Sequence, residues 1–204
     1  MTRTVVIDYG LCNLDSIARA IEVCGGDPFV TADPKALPQA SKIVLPGVGA
    51  FGEAMANLRK SGMSEALSQC VVERGVPFLG ICLGMHLITQ GGKESGEVEG
   101  LGWINAKVLK MRSRSPEERV PHVGWNEVNA VEGSPIFEGI RPGADFYFVH
   151  SYYVQCAEEL VAGTTPYCGG FASVVADKNI MGVQFHPEKS QKSGFRLIQN
   201  FLAL

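Results

Sequence analysis

The sequence predicts an α/β protein built on a doubly wound, mostly parallel sheet. Short apolar segments alternate with amphipathic helical segments through the first half of the chain, an order typical of parallel strands. Several apolar segments end at glycine-rich turns, where the functional groups of such sheets collect. The predicted strands of this half are 5–8, 28–31, 42–45 and 76–79, and the predicted helices are 13–24, 51–60 and 64–74.

The second half of the chain carries more strand signals than helical ones. Its predicted strands are 106–110, 145–150, 159–164, 171–175 and 180–185, followed by a closing helix over 193–202. The polar segment 112–119 predicts a surface loop. Because no repeat and no long linker interrupts the pattern, we expect residues 1–204 to form a single domain.

The composition is that of an ordinary soluble globular protein. Of 204 residues, 46% are hydrophobic and 19% charged, and the net charge of −3 gives no sign of nucleic-acid binding. No apolar run reaches the length of a membrane span, and the first residues lack the apolar region of an export signal. We therefore expect a cytoplasmic protein whose six cysteines are free thiols. No cysteine or histidine cluster has metal-ligand spacing, so we expect neither a metal nor a cofactor.

Cys82 lies in a glycine frame, Gly80-Ile81-Cys82-Leu83-Gly84. Apolar residues precede the frame and an apolar periodic segment follows it, which predicts a strand, a sharp turn and a helix. This is the geometry of a nucleophile elbow, with a thiol in place of a serine hydroxyl. The free N–H groups at the start of the helix would stabilise a thiolate. The alternative for a single cysteine is a small buried hydrophobe, because free cysteines are often buried.

A histidine and a glutamate near the C-terminus favour the nucleophile. His186 follows the predicted strand 180–185, and Pro187 stiffens the backbone between it and Glu188. A thiol nucleophile needs an imidazole base, and a third group must orient that imidazole. Taken singly, the two residues would be a strand-end histidine and a solvated glutamate. Together with Cys82 they predict a Cys-His-Glu triad.

These motifs resemble those of the class I (triad) glutamine amidotransferases, a family with a flavodoxin-like fold. A third element agrees with them, the loop Pro46-Gly47-Val48-Gly49 after the predicted strand 42–45, although taken alone it is a turn. The resemblance implies hydrolysis of glutamine by Cys82, His186 and Glu188. It also implies an oxyanion hole formed by the backbone N–H groups of Val48 and Leu83.

Three further segments narrow the resemblance to the glutaminase subunits of imidazole glycerol phosphate synthases. These are 8–14, 121–126 and 147–152, and the last two are the most discriminating. The resemblance implies a heterodimer with a (β/α)8-barrel cyclase subunit, which receives the ammonia in histidine biosynthesis. It implies substrate contacts from Gly49, His86, Glu94, His150, Ser151 and Tyr152, and partner contacts from Asn13, Trp125, Tyr147 and Lys189.

Three positions depart from the pattern of this branch: Cys12, Asp15 and His86. Relatives usually carry glutamine where His86 stands, and a histidine changes its charge with pH. An alternative therefore stays open, a paralogous glutaminase subunit that supplies ammonia to a sugar-amidating barrel protein in surface-polysaccharide synthesis. Two alternatives come from other classes: a cysteine peptidase or deglycase, and a non-catalytic regulator that has kept the fold.

The glycines of the loop 46–49 also lead to an expectation about regulation. They let a peptide unit rotate at low cost, so an oxyanion donor can point away from the site until a partner acts. We therefore expect the isolated chain to hydrolyse glutamine very slowly.

Overall fold

The computed structural model describes residues 3–92 and 96–204. Within these residues it contains thirteen strands and five α-helices. The strands are β1 (Arg3–Ile7), β2 (Asp27–Thr31), β3 (Lys42–Gly47), β4 (Phe78–Cys82), β5 (Gly91–Gly92), β6 (Val98–Glu99), β7 (Ala106–Lys110), β8 (His122–Ala130), β9 (Ala144–His150), β10 (Tyr152–Cys156), β11 (Val161–Thr165), β12 (Phe171–Asp177) and β13 (Ile180–Val183). The helices are α1 (Leu14–Val23), α2 (Phe51–Lys60), α3 (Met63–Ser68), α4 (Leu83–Leu87) and α5 (Gln191–Ala203).

The parallel part of the sheet carries the strands in the order β2-β1-β3-β4-β13. The register runs through its centre, where Val44 pairs with Leu79 and Leu79 pairs with Met181. Because these strands are parallel, their carboxyl ends meet at one edge of the sheet. That edge brings together the segments 47–49, 82–84 and 184–188. The predicted α/β fold with a doubly wound parallel sheet is confirmed.

The parallel strands bury side chains in two hydrophobic cores, one on each face of the sheet. Val5 and Ile7 of β1 face the core that α2 and α3 cover, whereas Val6 faces the core under α1 and α5. This alternation follows from the two-residue period of a strand. Burial on both faces explains why these strands are continuous apolar runs in the sequence.

The later strands extend the sheet with antiparallel pairs. β12 pairs with β13 and β10, β10 pairs with β7, and the ribbon of β8 and β9 joins through β11. Neither β8 nor β10 was predicted from the sequence. In β8 exposed residues alternate with buried or half-buried ones over residues 122–128, and polar residues such as Asn126 and Glu127 weakened the strand signal. β10 begins two residues after the last residue of β9, so no turn signal separates the two.

Several predicted elements differ from the structure in their extent, and the predicted strand 76–79 is observed as β4, two to three residues later. The predicted helix 64–74 is divided in the structure. Its first part is α3, which ends at Ser68, and a π-helical turn, Gln69–Glu73, follows. The predicted strand 159–164 begins as a 3-10 turn, and the predicted strand 180–185 ends at Val183. The segment 112–119 contains neither helix nor strand, as expected of a loop. No helix in the described ranges is both long and apolar enough to cross a membrane. All six cysteines are free thiols.

Candidate active site

Cys82 is the last residue of β4 and adopts a positive φ, with φ 53° and ψ −106°. This conformation is strained for a residue with a side chain, and such strain collects at functional sites. The two flanking glycines are required by close packing. A Cβ on Gly80 would lie 2.6 Å from the carbonyl oxygen of Gly84, and a Cβ on Gly84 would overlap the carbonyl oxygen of Leu45. The tight turn between β4 and α4 therefore depends on both glycines.

His186 and Glu188 lie beyond the end of β13, on a turn that is fastened to β9. His186 Nδ1 lies 2.8 Å from Glu188 Oε1, and the two side chains are only 4% and 5% exposed. The Ser190 hydroxyl donates to the carbonyl oxygen of His186 at 2.6 Å and accepts from the N–H of Tyr147 at 3.0 Å. These bonds hold the imidazole and the carboxylate in a fixed relation.

The surroundings of His186 favour its protonated form. Burial lowers the pKa of the imidazole, but hydrogen bonding and charge from Cys82 and Glu188 outweigh burial and raise the pKa to about 10. The other ring nitrogen, Nε2, is buried and has no hydrogen-bond partner of good geometry, so it is available for proton transfer. An imidazolium between a thiol and a carboxylate is the arrangement that activates a cysteine nucleophile.

A cavity of about 390 Å³ adjoins the thiol of Cys82. The structure brings five of the predicted substrate-contact residues to its wall: Gly49, His86, His150, Ser151 and Tyr152. The sixth, Glu94, lies outside the described residues. Pro121 and Val149 also line the cavity and were not predicted. Their only signal in the sequence is that they are neighbours of His122 and His150. A larger cavity of about 700 Å³ beside β5 and β7 has neither cysteine nor histidine among its described lining residues.

His86 lies on α4 and its ring is engaged with a neighbouring side chain. Its Nε2 lies 2.7 Å from Oε1 of Gln184. Burial lowers the pKa of His86 to about 4, against the raising effect of the Gln184 hydrogen bond, so the ring is neutral at neutral pH. Gln184 is fully buried, and its Nε2 lies 3.8 Å from Cys82 Sγ. Gln184 was not predicted from the sequence, where its only signal is its place two residues before His186.

The two predicted oxyanion donors differ in whether the N–H group already has an acceptor in the backbone. Leu83 is the first residue of α4, so its N–H has no acceptor within the helix. The N–H of Val48, by contrast, donates to the carbonyl oxygen of Leu11 at 2.8 Å. The residue after Leu11, Cys12, donates its thiol to the carbonyl oxygen of Pro46 at 3.4 Å. The loop 46–49 is therefore held by the segment 11–12.

A chain of hydrogen bonds through two buried histidines fixes another part of the cavity wall. His150 Nδ1 lies 2.8 Å from the carbonyl oxygen of Tyr152, so this nitrogen carries the proton and Nε2 accepts. His122 Nδ1, at 3.0 Å, is then the donor to His150, and the Asn126 amide donates to His122 Nε2 at 3.2 Å. Burial lowers the pKa of His122 to about 4. Burial is also the largest of the causes that lower the pKa of His150 to about 3. Both rings are therefore neutral.

An exposed apolar strip lies on the β8–β9 ribbon beside the cavity and consists of Val123, Trp125, Tyr147 and Val149. In the register of the ribbon, Val123 pairs with Val149 and Trp125 pairs with Tyr147. Val123 is 57% exposed and Trp125 48% exposed. Contiguous exposed apolar surface is a common feature of interaction sites.

The other two predicted partner contacts lie near this strip or at the same edge of the sheet. The ammonium group of Lys189 lies 5.8 Å from the centre of the Tyr147 ring. Asn13 is exposed and immediately precedes α1, and α1 packs against the turn that carries Lys189. The predicted contacts Trp125, Tyr147 and Lys189 thus form one continuous surface.

The fold and the site together define a class of protein, a parallel α/β sheet with a cysteine, a histidine and a glutamate at its carboxyl edge. Residues 5–204 match the family model of the class-I glutamine amidotransferases, and the chain belongs to that family.

Relatives of known name share most of their length with this chain. It is 44% identical over 199 residues to the imidazole glycerol phosphate synthase subunit HisH 1 of Campylobacter jejuni, with 98% of each chain covered. It is 45% identical over 202 residues to the imidazole glycerol phosphate synthase subunit HisH of Moorella thermoacetica, with 98% of this chain and 94% of the relative covered.

Solved structures support the same fold at lower identity. The structure of PurLQS from Thermotoga maritima matches with a TM-score of 0.77 and 18% identity, covering 98% of this chain and 97% of the other. A glutamine amidotransferase from Thermotoga maritima matches with a TM-score of 0.63 and 19% identity, covering 99% of this chain and 83% of the other.

Proposed function

We propose that this chain is the glutaminase subunit of an imidazole glycerol phosphate synthase and forms a single amidotransferase domain. It hydrolyses glutamine to glutamate and ammonia, and it passes the ammonia to a (β/α)8-barrel cyclase subunit in histidine biosynthesis. The observation that carries the proposal is the arrangement of Cys82, His186 and Glu188 at the carboxyl edge of the sheet. The names of the relatives favour this pathway over a sugar-amidating paralogue.

The reaction begins when the thiolate of Cys82 attacks the side-chain amide carbon of glutamine. The protonated His186 gives its proton to the leaving nitrogen, so that ammonia departs and a thioester remains. His186 then takes a proton from water as the water attacks the thioester, and glutamate is released. Glu188 holds the imidazole through the 2.8 Å hydrogen bond and offsets its positive charge.

The tetrahedral intermediates need N–H donors for their negative oxygen. Leu83 supplies one donor from the start of α4. Val48 supplies the second only after its peptide unit rotates, because its N–H now donates to Leu11. The peptide unit that carries this N–H joins Gly47 to Val48, and a peptide unit that follows a glycine rotates at lower cost. This rotation is the step that separates the resting chain from the active one.

The barrel subunit completes this switch. Docked on the apolar strip and Lys189, it would also reach Asn13 and the neighbouring segment 11–12, which holds the loop 46–49 through Leu11 and Cys12. Contact with that segment would release the Val48 N–H. Enclosure between two subunits would also keep the ammonia from being protonated and diluted in bulk water.

Purification of the tagged chain from its source cell, followed by identification of the bound protein, tests the pathway. We expect a (β/α)8-barrel cyclase subunit, whereas a sugar-amidating barrel protein would support the paralogue instead. With the recovered partner and amide-labelled glutamine, the label should appear in the cyclase product. The control is Cys82→Ala, which should still recover the partner but transfer no label.

A further inference from the structure

Gln184 touches the nucleophile and is itself held by His86. All three side chains are buried: Gln184 is 0%, His86 6% and Cys82 7% exposed. The contacts run in one line, from His86 Nε2 to Gln184 Oε1 at 2.7 Å, and from Gln184 Nε2 to Cys82 Sγ at 3.8 Å. The backbone of Gln184 is fixed as well, since its N–H donates to the carbonyl oxygen of Ser173 at 2.9 Å.

The side-chain amide of Gln184 is oriented with its oxygen toward His86 and its nitrogen toward Cys82. A carboxamide is planar, with one accepting end and one donating end, so the bond at one end sets the orientation of the other. The accepting end meets the ring of His86, which therefore donates through Nε2–H. The donating end is left facing the sulfur of Cys82.

We propose that Gln184 is a further catalytic residue, which donates an amide N–H to the thiolate of Cys82, and that His86 is a positioning residue, which holds this amide in place. The proposal deepens the proposed function and rests on it for the use made of the thiolate. It also assigns His86 a partner within the protein, in addition to its place on the wall of the cavity.

The buried setting gives this contact its effect. A buried anion is costly unless donors replace the water that it has lost. A hydrogen bond to the charged form of a group favours that form, so a donor on the sulfur stabilises the thiolate. Replacing the donor by an apolar group of similar shape should therefore leave less thiolate at neutral pH.

The test is the pH midpoint for alkylation of Cys82 by iodoacetamide, followed by mass spectrometry of the peptide that contains it. Gln184→Met should raise the midpoint by about one unit, which is tenfold less thiolate well below the midpoint. His86→Leu should raise it similarly because Gln184 is then free to turn. His86→Gln should restore it, since an amide at that position can still donate to Oε1.

Other groups near the thiol are left unchanged in these variants. His186 and Glu188 lie on the turn after β13, and Tyr9, whose pKa is raised by burial and by neighbouring thiols, follows β1. A matched control is Gln155→Met, which changes an exposed glutamine on β10 and should leave the midpoint unchanged.

An unchanged midpoint in a folded Gln184→Met chain would overturn the proposal. A lowered midpoint would overturn it too, because the carbonyl end would then face the sulfur. Thermal unfolding checks that each variant folds. If Gln184→Met does not fold, the comparison of His86→Leu with His86→Gln decides in the same way, since both retain Gln184. The assay contains no glutamine. The role of Gln184 can therefore fail while the glutaminase function stands, and the glutaminase function can fail while the role of Gln184 stands.

Discussion

The two sides of the nucleophile differ in how completely they are assembled. On the acid–base side, His186 and Glu188 are bonded at 2.8 Å on a turn that Ser190 fastens to β9. On the oxyanion side, the N–H of Val48 donates to Leu11 and is not offered to the cavity. The first side is held by buried bonds at the edge of the sheet, whereas the second is held by a segment next to the exposed Asn13.

This difference teaches where control of the reaction can lie. Groups that generate the nucleophile must keep their geometry to within a fraction of an ångström, so they are buried and tied down. A backbone N–H in the peptide unit that follows a glycine can turn with little cost in free energy, so it suits a switch. A partner that favours one loop state changes the rate without rebuilding the triad.

Removing the base, His186, from the acid–base side should have the largest effect on the glutaminase rate. We expect His186→Ala to lower the steady-state glutaminase rate of the complex by about five orders of magnitude. Glu188→Gln should cost distinctly less, because it orients the base and does not itself transfer the proton. The double variant should be little worse than His186→Ala alone. Multiplicative losses would show that Glu188 acts independently of His186.

Truncating the apolar strip should separate docking from chemistry. We expect Trp125→Ala to raise the Kd of the barrel subunit about 30-fold, since an aromatic anchor of an interface is worth about 2 kcal/mol. The alkylation midpoint of Cys82 should stay the same. Titration calorimetry measures the affinity, and Val72→Ala, at a residue that is 54% exposed elsewhere, is the control. An unchanged Kd would mean that the partner does not dock on this strip.

The buried histidine chain should appear as a smaller effect in acid. His122 has a pKa lowered to about 4, so the unfolded chain binds more protons than the folded chain between that pH and about 6.5. The free energy of unfolding should therefore fall as the pH drops through this window. We expect His122→Gln to remove about 1–2 kcal/mol of that fall. Urea unfolding at pH 7 and near pH 4.5 measures it, and equal losses in both chains would contradict the account.

The comparison also shows what the sequence could reveal. Cys82, His186 and Glu188 were predictable because their chemistry requires particular residue types at strand ends, and the glycines around Cys82 are visible in the sequence. Gln184 was not, because its contact with His86 joins residues 98 positions apart and needs no local motif. The direction of the Val48 N–H depends on one peptide torsion, which composition does not report. The polar face of β8 likewise concealed a strand that carries Trp125.

Steady-state glutaminase activity of the chain alone, with the barrel subunit, and with the barrel subunit plus its nucleotide ligand tests most directly whether a partner turns the Val48 N–H. Alkylation of Cys82 is measured in the same three states. We expect a stepwise rise in activity of about 100-fold or more, since each 1.4 kcal/mol in favour of the competent loop is worth tenfold. We expect a reactive thiol in all three states, because the acid–base side is already assembled. Full activity in the isolated chain would contradict this account, since the Val48 donor would then need no partner.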